Sequence, residues 1–469
     1  MNDNTVKQIT SGIDFPTAAS MGFEVFTSRN IRKIPQLSLL TEEERFGIEV
    51  VASVLPFRVN RYVLDTLIDW DDAPNDPMFR LLFPLRDMLS TEDFELMADL
   101  HRSKASTAQI DAAANAVRSR LNPNPAYQQE LNRPLMGDQK IAGIQHKYRE
   151  TVLFFPSRGQ TCHSYCTFCF RWPQFVGVNE WRFASKEVDP LLEYLRRHKS
   201  VTNLLITGGD PMVMKTAHLA AYIEPILNDP ELEHVHTIRI GTKALSYWPQ
   251  RFVSDPDADD LLRLFERVNK AGKHLALMAH FNHPRELEPT LTRQAIQRIR
   301  ESGAVIRSQS PVLRHINDEA DTWASLWCTQ ANLGVIPYYM FVERDTGAQH
   351  YFELPLAEAA EIYRKAIQKV SGTARTARGP SMSAGPGKVE IQGVTEINQQ
   401  QVFVLRFLQG RDPDWVQRPF FAEYDAKATW FDQLKPAFGE KQFFFKAQYE
   451  AMLNQAGVAT KDEGQMGDC

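Results

Sequence analysis

Cys162, Cys166 and Cys169 place three of the chain's five cysteines within eight positions, and Arg171 follows two residues later. Thiolates set this densely in a cysteine-poor chain hold metal, because each loses its proton to a common electropositive centre. Three of them bind three irons of a [4Fe-4S] cluster and leave the fourth iron open for a small molecule; a ferredoxin cluster would take four. A zinc site with His163 as fourth ligand, or a chance grouping of buried thiols, are the competing readings. Structural zinc normally uses two separated ligand pairs, and no second pair is present.

Two glycine-containing stretches join this group. Thr207-Gly208-Gly209-Asp210-Pro211 has the small residues of a tight turn at a ligand, and equally those of a strand-to-helix turn with Asp210 as N-cap. Gly385-Pro386-Gly387-Lys388 brings a lysine behind a glycine pair. Drawn out of water, such a lysine loses its proton and becomes nucleophilic; left in water, it is an ordinary surface cation.

The elements that must position these groups alternate. Apolar runs at Thr151–Phe155, Asn203–Ile206, Thr237–Ile240, His274–Ala279, Ala304–Ser308 and Gly334–Phe341 read as strands. Helical patterns lie near 185–199, 215–228, 257–272, 289–302, 318–331 and 355–371. Strictly alternating strands and helices give an α/β fold with a parallel sheet and right-handed crossovers. Six units instead of eight predict a partial (β/α)6 barrel. The polar clusters then follow the strand ends, the face where such folds place their sites. Ahead of the barrel, Thr41-Glu42-Glu43-Glu44 starts a helical region reaching Leu121, and prolines 123, 125 and 134 mark a connector over 122–145. The division is 1–145 as N-terminal arm and helical region, 146–371 as barrel and 372–469 as a C-terminal segment. Within that segment Thr373–Gly387 reads as a loop, the aromatic stretch beyond as a tail on the barrel mouth, and Lys461 onward as frayed.

The 469 residues are 43% hydrophobic and 24% charged, as in soluble globular proteins. A net charge of -5 gives no electrostatic reason to expect nucleic acid. No apolar run approaches the ~20 residues of a membrane span. The polar start and unpaired cysteine spacing predict a cytoplasmic protein.

Ordered motifs between Leu40 and Lys388 resemble the lysine 2,3-aminomutase family of radical S-adenosylmethionine (SAM) enzymes. They are Thr41-Glu42-Glu43-Glu44, Pro74-Asn75-Asp76-Pro77, the CxxxCxxC cysteines, Gly208-Gly209-Asp210, Arg239-Ile240-Gly241, Pro249-Gln250-Arg251, His280-Phe281-Asn282-His283-Pro284, Gln309-Ser310, Asn317-Asp318 and Tyr338-Tyr339. The resemblance implies a radical SAM barrel, a [4Fe-4S] cluster, SAM and pyridoxal 5′-phosphate (PLP). The radical derived from SAM takes a β-hydrogen, and the amino group of a PLP-bound amino acid moves from C2 to C3. Carried over residue by residue, Cys162, Cys166 and Cys169 hold the cluster. Gly208, Gly209 and Asp210 bind SAM, with His280, Gln309 and Lys243 as weaker candidates. Lys388 carries PLP, Lys147 and Tyr148 contact it, with Arg149 beside them, and Arg171 grips the substrate carboxylate. An electron donor such as flavodoxin or ferredoxin, a small-molecule amino acid substrate and a homo-oligomeric state are also implied.

Three departures stand out. Thr151 falls where the family has an arginine among its PLP contacts. Arg344 and Ser381 fall where lysine-acting relatives hold the substrate's distal ammonium with two aspartates. A cation there suits a side chain ending in carboxylate and predicts a glutamate-like substrate. Glu343 and Asp345 flank Arg344, so a slip of one residue would present an acid and restore lysine. Finally, only Cys469 follows Lys388, and Glu319 stands near the family's internal cysteine position, so no zinc is expected. The alternatives are a lysine 2,3-aminomutase, a radical SAM and PLP enzyme that eliminates or modifies a protein residue, and a non-catalytic binding relative.

Overall fold

The computed structural model describes residues 22–122, 131–178 and 181–456. Pro123, Pro125, Cys469 and the segment from Lys461 lie outside the described residues, as does the arm before residue 22. β1 (Val25–Thr27) pairs with β2 (Arg58–Asn60), and β3 (Leu135–Met136) with β4 (Gln139–Lys140). The remaining strands form one mixed sheet of eleven: β5 (Ile144–Tyr148), β6 (Thr151–Phe154), β7 (Asn203–Ile206), β8 (Thr237–Thr242), β9 (His274–His280), β10 (Val305–Val312), β11 (Ile336–Val342), β12 (Arg378–Ser383), β13 (Gly387–Ile397), β14 (Gln400–Gly410) and β15 (Pro419–Glu423). They lie side by side in chain order. β6 to β12 are parallel, while β5 and β13 to β15 pair antiparallel at the two flanks.

All six expected strands are present, and the helices between them run Asp189–Arg197, Thr216–Asn228, Ala258–Lys270, Thr290–Glu301, Ala320–Asn332 and Leu356–Gln368. The loop expected over Thr373–Gly387 is a correction: Arg378–Ser383 is a seventh parallel strand. Its sequence, RGPSMS, lacks the β-branched and aromatic residues that signal strands, and backbone pairing to β11 decides the conformation instead. Likewise the tail supplies β13 to β15, which extend the sheet.

Alternation along the strands separates two faces. Ile238 and Ile240 of β8, Leu275 and Leu277 of β9, and Ile306 of β10 join the apolar core beneath the helices. The intervening Arg239, Gly241, Met278, His280, Arg307 and Gln309 therefore line the other face. The sheet curls around that face. Lys147 on β5 donates from Nζ to the carbonyl of Ala384, just past β12, seven strands away in the sheet. In a flat sheet these would stand roughly 34 Å apart, at ~4.8 Å per strand.

The N-terminal helices, among them Glu42–Val51, Pro77–Leu82, Thr91–Arg102 and Thr107–Arg120, carry a second core. Helix Glu42–Val51 starts at a reciprocal cap, Glu44 N to Thr41 Oγ1 at 3.2 Å and Thr41 N to Glu44 Oε2 at 2.8 Å. Phe168 and Trp172 of the cysteine region belong to this same core. A third, largely aromatic core lies under β13 to β15 and includes Phe403, Phe407, Trp415, Phe420 and Phe445.

Candidate active site

The cysteine loop follows β6, as the C-terminal ends of parallel strands require for a site. Its three thiols are free and mutually close. Burial raises each pKa, to about 11 for Cys166 and about 12 for Cys169, and the neighbouring thiols add to the rise at Cys162 and Cys169. Tyr247 Oη stands 3.7 Å from Cys166 Sγ. His163 turns elsewhere: its ring stacks on Trp248 and meets Phe23 edge-on, and burial pushes its pKa down to about 3.

Two sets of backbone bonds hold the loop. Asn60, fully buried, donates from Nδ2 to the Tyr247 carbonyl at 2.8 Å and to Ser164 Oγ at 3.1 Å, and Asn60 N donates to the same hydroxyl. Tyr165 N donates to Arg58 O and Thr167 N to Leu81 O, so the helical region clamps the loop from one side. From the other side, Gly209 N donates to Gly159 O at 3.0 Å and Asp210 N to Thr161 O at 2.7 Å. A Cβ on Gly209 would lie 2.6 Å from Thr161 N, which is why this position is glycine. Nothing around Asn60 in the sequence signals this role; only the fold brings it to Ser164, 104 residues on.

Asp210 is buried and saturated. Its oxygens accept from Thr242 Oγ1 at 2.8 and 2.9 Å, Lys243 N at 2.9 Å and Met212 N at 2.9 Å. Its carboxylate therefore ties the ends of β7 and β8 together. Lys243 is likewise occupied, bonded to Asn282 Oδ1 at 3.0 Å and to buried Glu286 at 2.6 Å. His280 and Gln309 stand opposite each other in the β9–β10 register on the inner face, and burial holds the His280 imidazole well below its usual range.

Arg171 is half-buried beside the thiols, its guanidinium 4.3 Å from the Phe155 ring centroid. One Nη reaches Gln160 Oε1 at 3.4 Å, and its Nε has no hydrogen-bond partner among the described residues. Burial lowers its pKa to about 10. A buried guanidinium with an unused donor is suited to a carboxylate.

Lys388 enters from β13 onto the inner face. Nζ lies 3.9 Å over the Tyr339 ring and 5.0 Å from that of Phe341. Burial, then the charges of Arg378 and Arg239, bring its pKa down to about 7. Lys147 and Tyr148 lie on the facing edge, and burial plus Arg411, Arg344 and Lys388 depress the Lys147 ammonium. Arg344 sits between the two halves, its guanidinium 5.6 Å from the Phe170 ring and 5.2 Å from that of Trp430, with Nε 3.4 Å from Asp345 Oδ1. Ser381 is fully buried, its Oγ 3.5 Å from Met340 O. Thus the fold gathers the cysteines with Arg171, and Lys388 with Lys147 and Tyr148. Arg239 and Arg378 complete the second group; Arg239 lay within a family motif, whereas Arg378 was hidden in the presumed loop.

A protein of Aquifex aeolicus assigned provisionally to L-lysine 2,3-aminomutase is 33% identical over 394 residues, 84% of this chain and 91% of its own length. The chain belongs to the lysine 2,3-aminomutase family. The L-lysine 2,3-aminomutases of Acetoanaerobium sticklandii and Clostridium subterminale are each 26% identical over 373 residues, 79% of this chain and 78% and 77% of theirs. No family model matches the chain. Streptococcus suis SuiB bound to precursor peptide SuiA aligns over 66% of each chain with a TM-score of 0.31 and 13% identity, too slight a likeness to bear on function.

As a member of the lysine 2,3-aminomutase family the chain is an aminomutase, an isomerase, and that family uses a [4Fe-4S] cluster, SAM and PLP. The residues present fit those groups. Three thiols converge on one loop for the cluster, and the glycine turn packed against that loop offers backbone at close range. Lys388 has the low pKa of an amine that reacts with an aldehyde. A small-molecule substrate accords with the family. No helix among the described residues is long and apolar enough to cross a membrane.

Proposed function

We propose that this chain is an amino acid 2,3-aminomutase for an acidic, glutamate-like substrate, with β6 to β11 curled as a partial (β/α)6 radical SAM barrel around the site. When bound, the reduced cluster with SAM supplies a hydrogen-abstracting radical, and PLP carries the migrating amino group. Cys162, Cys166 and Cys169 hold the cluster. Gly208 and Gly209 offer backbone to SAM, Asp210 fixes that turn, and His280 and Gln309 line its inner side. Lys388 holds PLP, facing Lys147 and Tyr148. Arg171 binds the substrate's α-carboxylate through its unused Nε. The curled sheet keeps water from these groups, so the radical is not quenched.

The placement of Arg344 carries the substrate assignment. Its charge is felt at Lys147 and Tyr148, and its guanidinium lies near the rings of Phe170 and Trp430. A cation held there repels a distal ammonium and attracts a distal carboxylate. Ser381, buried and neutral, adds no acid. Lysine is the second reading, because the relatives are named for it and Asp345 contacts Arg344. Anaerobic enzyme reconstituted with iron, sulfide and PLP, given SAM and dithionite, should convert glutamate to β-glutamate and leave lysine unchanged, as read by mass spectrometry. Arg344→Asp should lower the glutamate rate at least about tenfold, the cost of one lost charge-assisted contact. Conversion of lysine alone overturns the assignment.

The reading retains the three-part division at 145/146 and 371/372. A cytoplasmic location, a flavodoxin or ferredoxin as electron donor and a homo-oligomeric assembly belong to it as well.

A further inference from the structure

The inner face holds a group of cations that the aminomutase reading does not use. Arg239 of β8 and Arg378 of β12 lie near Lys388, and Arg307 of β10 bears on Arg239 and shares the Tyr338 ring with Arg378. Arg307 and Arg378 lie 5.2 and 4.6 Å from the Tyr338 ring, and Arg378 lies 4.3 Å from the Tyr339 ring that Lys388 also covers. Arg239 donates from Nη2 to Thr151 Oγ1 at 3.3 Å, and its buried Nε has no partner among the described residues. No carboxylate forms an ion pair with any of the four among the described residues; the groups that bear on Arg239 are Tyr338, Tyr339 and Arg307. Like charges gathered out of water are costly unless an anion joins them. Two buried cations elsewhere in this protein have one: Lys243 has Glu286, and Arg251 has Asp257.

We infer that Arg239, assisted by Arg378, binds the phosphate of PLP. The inference rests on Lys388 being the PLP lysine. PLP bears its phosphate on the ring carbon next to the one carrying the aldehyde, so attachment at Lys388 leaves the dianion within a side chain's length. Arg239 offers a free Nε–H and Nη–H on one planar fork, the geometry that phosphate oxygens accept. Thr151 of β6 lies at the tip of that fork, so the charge that β6 lacks at this corner comes from β8, two strands away. Tyr338 contacts Arg307 and Arg378, and Tyr339 contacts Arg378, through cation–π attraction.

The test compares PLP with pyridoxal, which has the aldehyde but no phosphate, on reconstituted full-length protein by visible absorbance and equilibrium dialysis. Wild type should prefer PLP strongly, and inorganic phosphate should compete with PLP. Arg239→Gln should weaken PLP binding about 10- to 100-fold while leaving pyridoxal unchanged, as for loss of a charged hydrogen bond. Arg239→Lys should retain part of the preference, and Arg239→Gln with Thr151→Arg should restore some of it from the other side of the pair. Iron content and circular dichroism report folding. An unaltered PLP-to-pyridoxal preference in folded Arg239→Gln overturns this inference and leaves Lys388 as the PLP lysine. Absence of phosphate competition in wild type overturns it without any variant. Failure of wild type to bind PLP at all overturns the cofactor reading beneath it.

Discussion

Lys388 shows how position changes the acidity of an ordinary amine. Its neutral form is the nucleophile, and a pKa brought down to about 7 makes that form abundant near neutrality. Below pH 7 the amine is protonated and unreactive; above it the neutral fraction rises and levels off. The rate of PLP attachment to apo-protein should therefore climb through about pH 7 and be flat by pH 9, where a solvated lysine would still be climbing. Stopped-flow absorbance after mixing with PLP measures this, and a rise centred near pH 10 would place Lys388 in water. Lys388→Ala should leave no borohydride-trapped PLP on the peptide containing position 388. The role expected of Arg171 came from the family resemblance, but its orphan Nε was not legible, because that depends on what the folded chain leaves unbonded around it.

At the scale of elements, the glycine turn after β7 and the cysteine loop after β6 act as one unit. Their backbones exchange hydrogen bonds through Gly159, Thr161, Gly209 and Asp210. Gly209→Ala should force this contact apart, at a cost of about 1–3 kcal/mol as for overpacking, and should lower iron content after reconstitution. Thermal unfolding and iron assay together check it; full iron loading with unchanged stability would mean that the turn yields freely. The alternation of apolar runs made β6 to β11 readable, since their outward residues pack on helices. β12 was unreadable because its strand character comes from pairing with β11, and not from its own side chains.

For the molecule as a whole, the helical region does more than precede the large sheet. Asn60 bonds the cysteine loop at Ser164 and the short helix after β8 at Tyr247, and Phe168 and Trp172 share the helical core. Asn60→Ala strands these partners in a dry setting and should cost about 1–3 kcal/mol. Cluster content should fall in parallel, while PLP binding at Lys388, held by the opposite flank of the sheet, should persist. Iron and PLP stoichiometries on the same sample separate the two; joint loss would show that the halves fold as one cooperative unit around both sites.

Residue type and local spacing alone picked out the cysteine trio and the alternating fold class, since thiolate density and strand-helix periodicity act over a few residues; Lys388 came forward through the family resemblance. Tertiary structure decided what those groups face. Curling of an eleven-stranded sheet brings Lys147 to Ala384 across seven strands and sets Arg239 beside Lys388 from another part of the chain. It spends the carboxylate of Asp210 on Thr242 and Lys243, and it turns His163 to Trp248. Such outcomes depend on which surfaces meet when apolar faces are buried, and no window of sequence contains both partners.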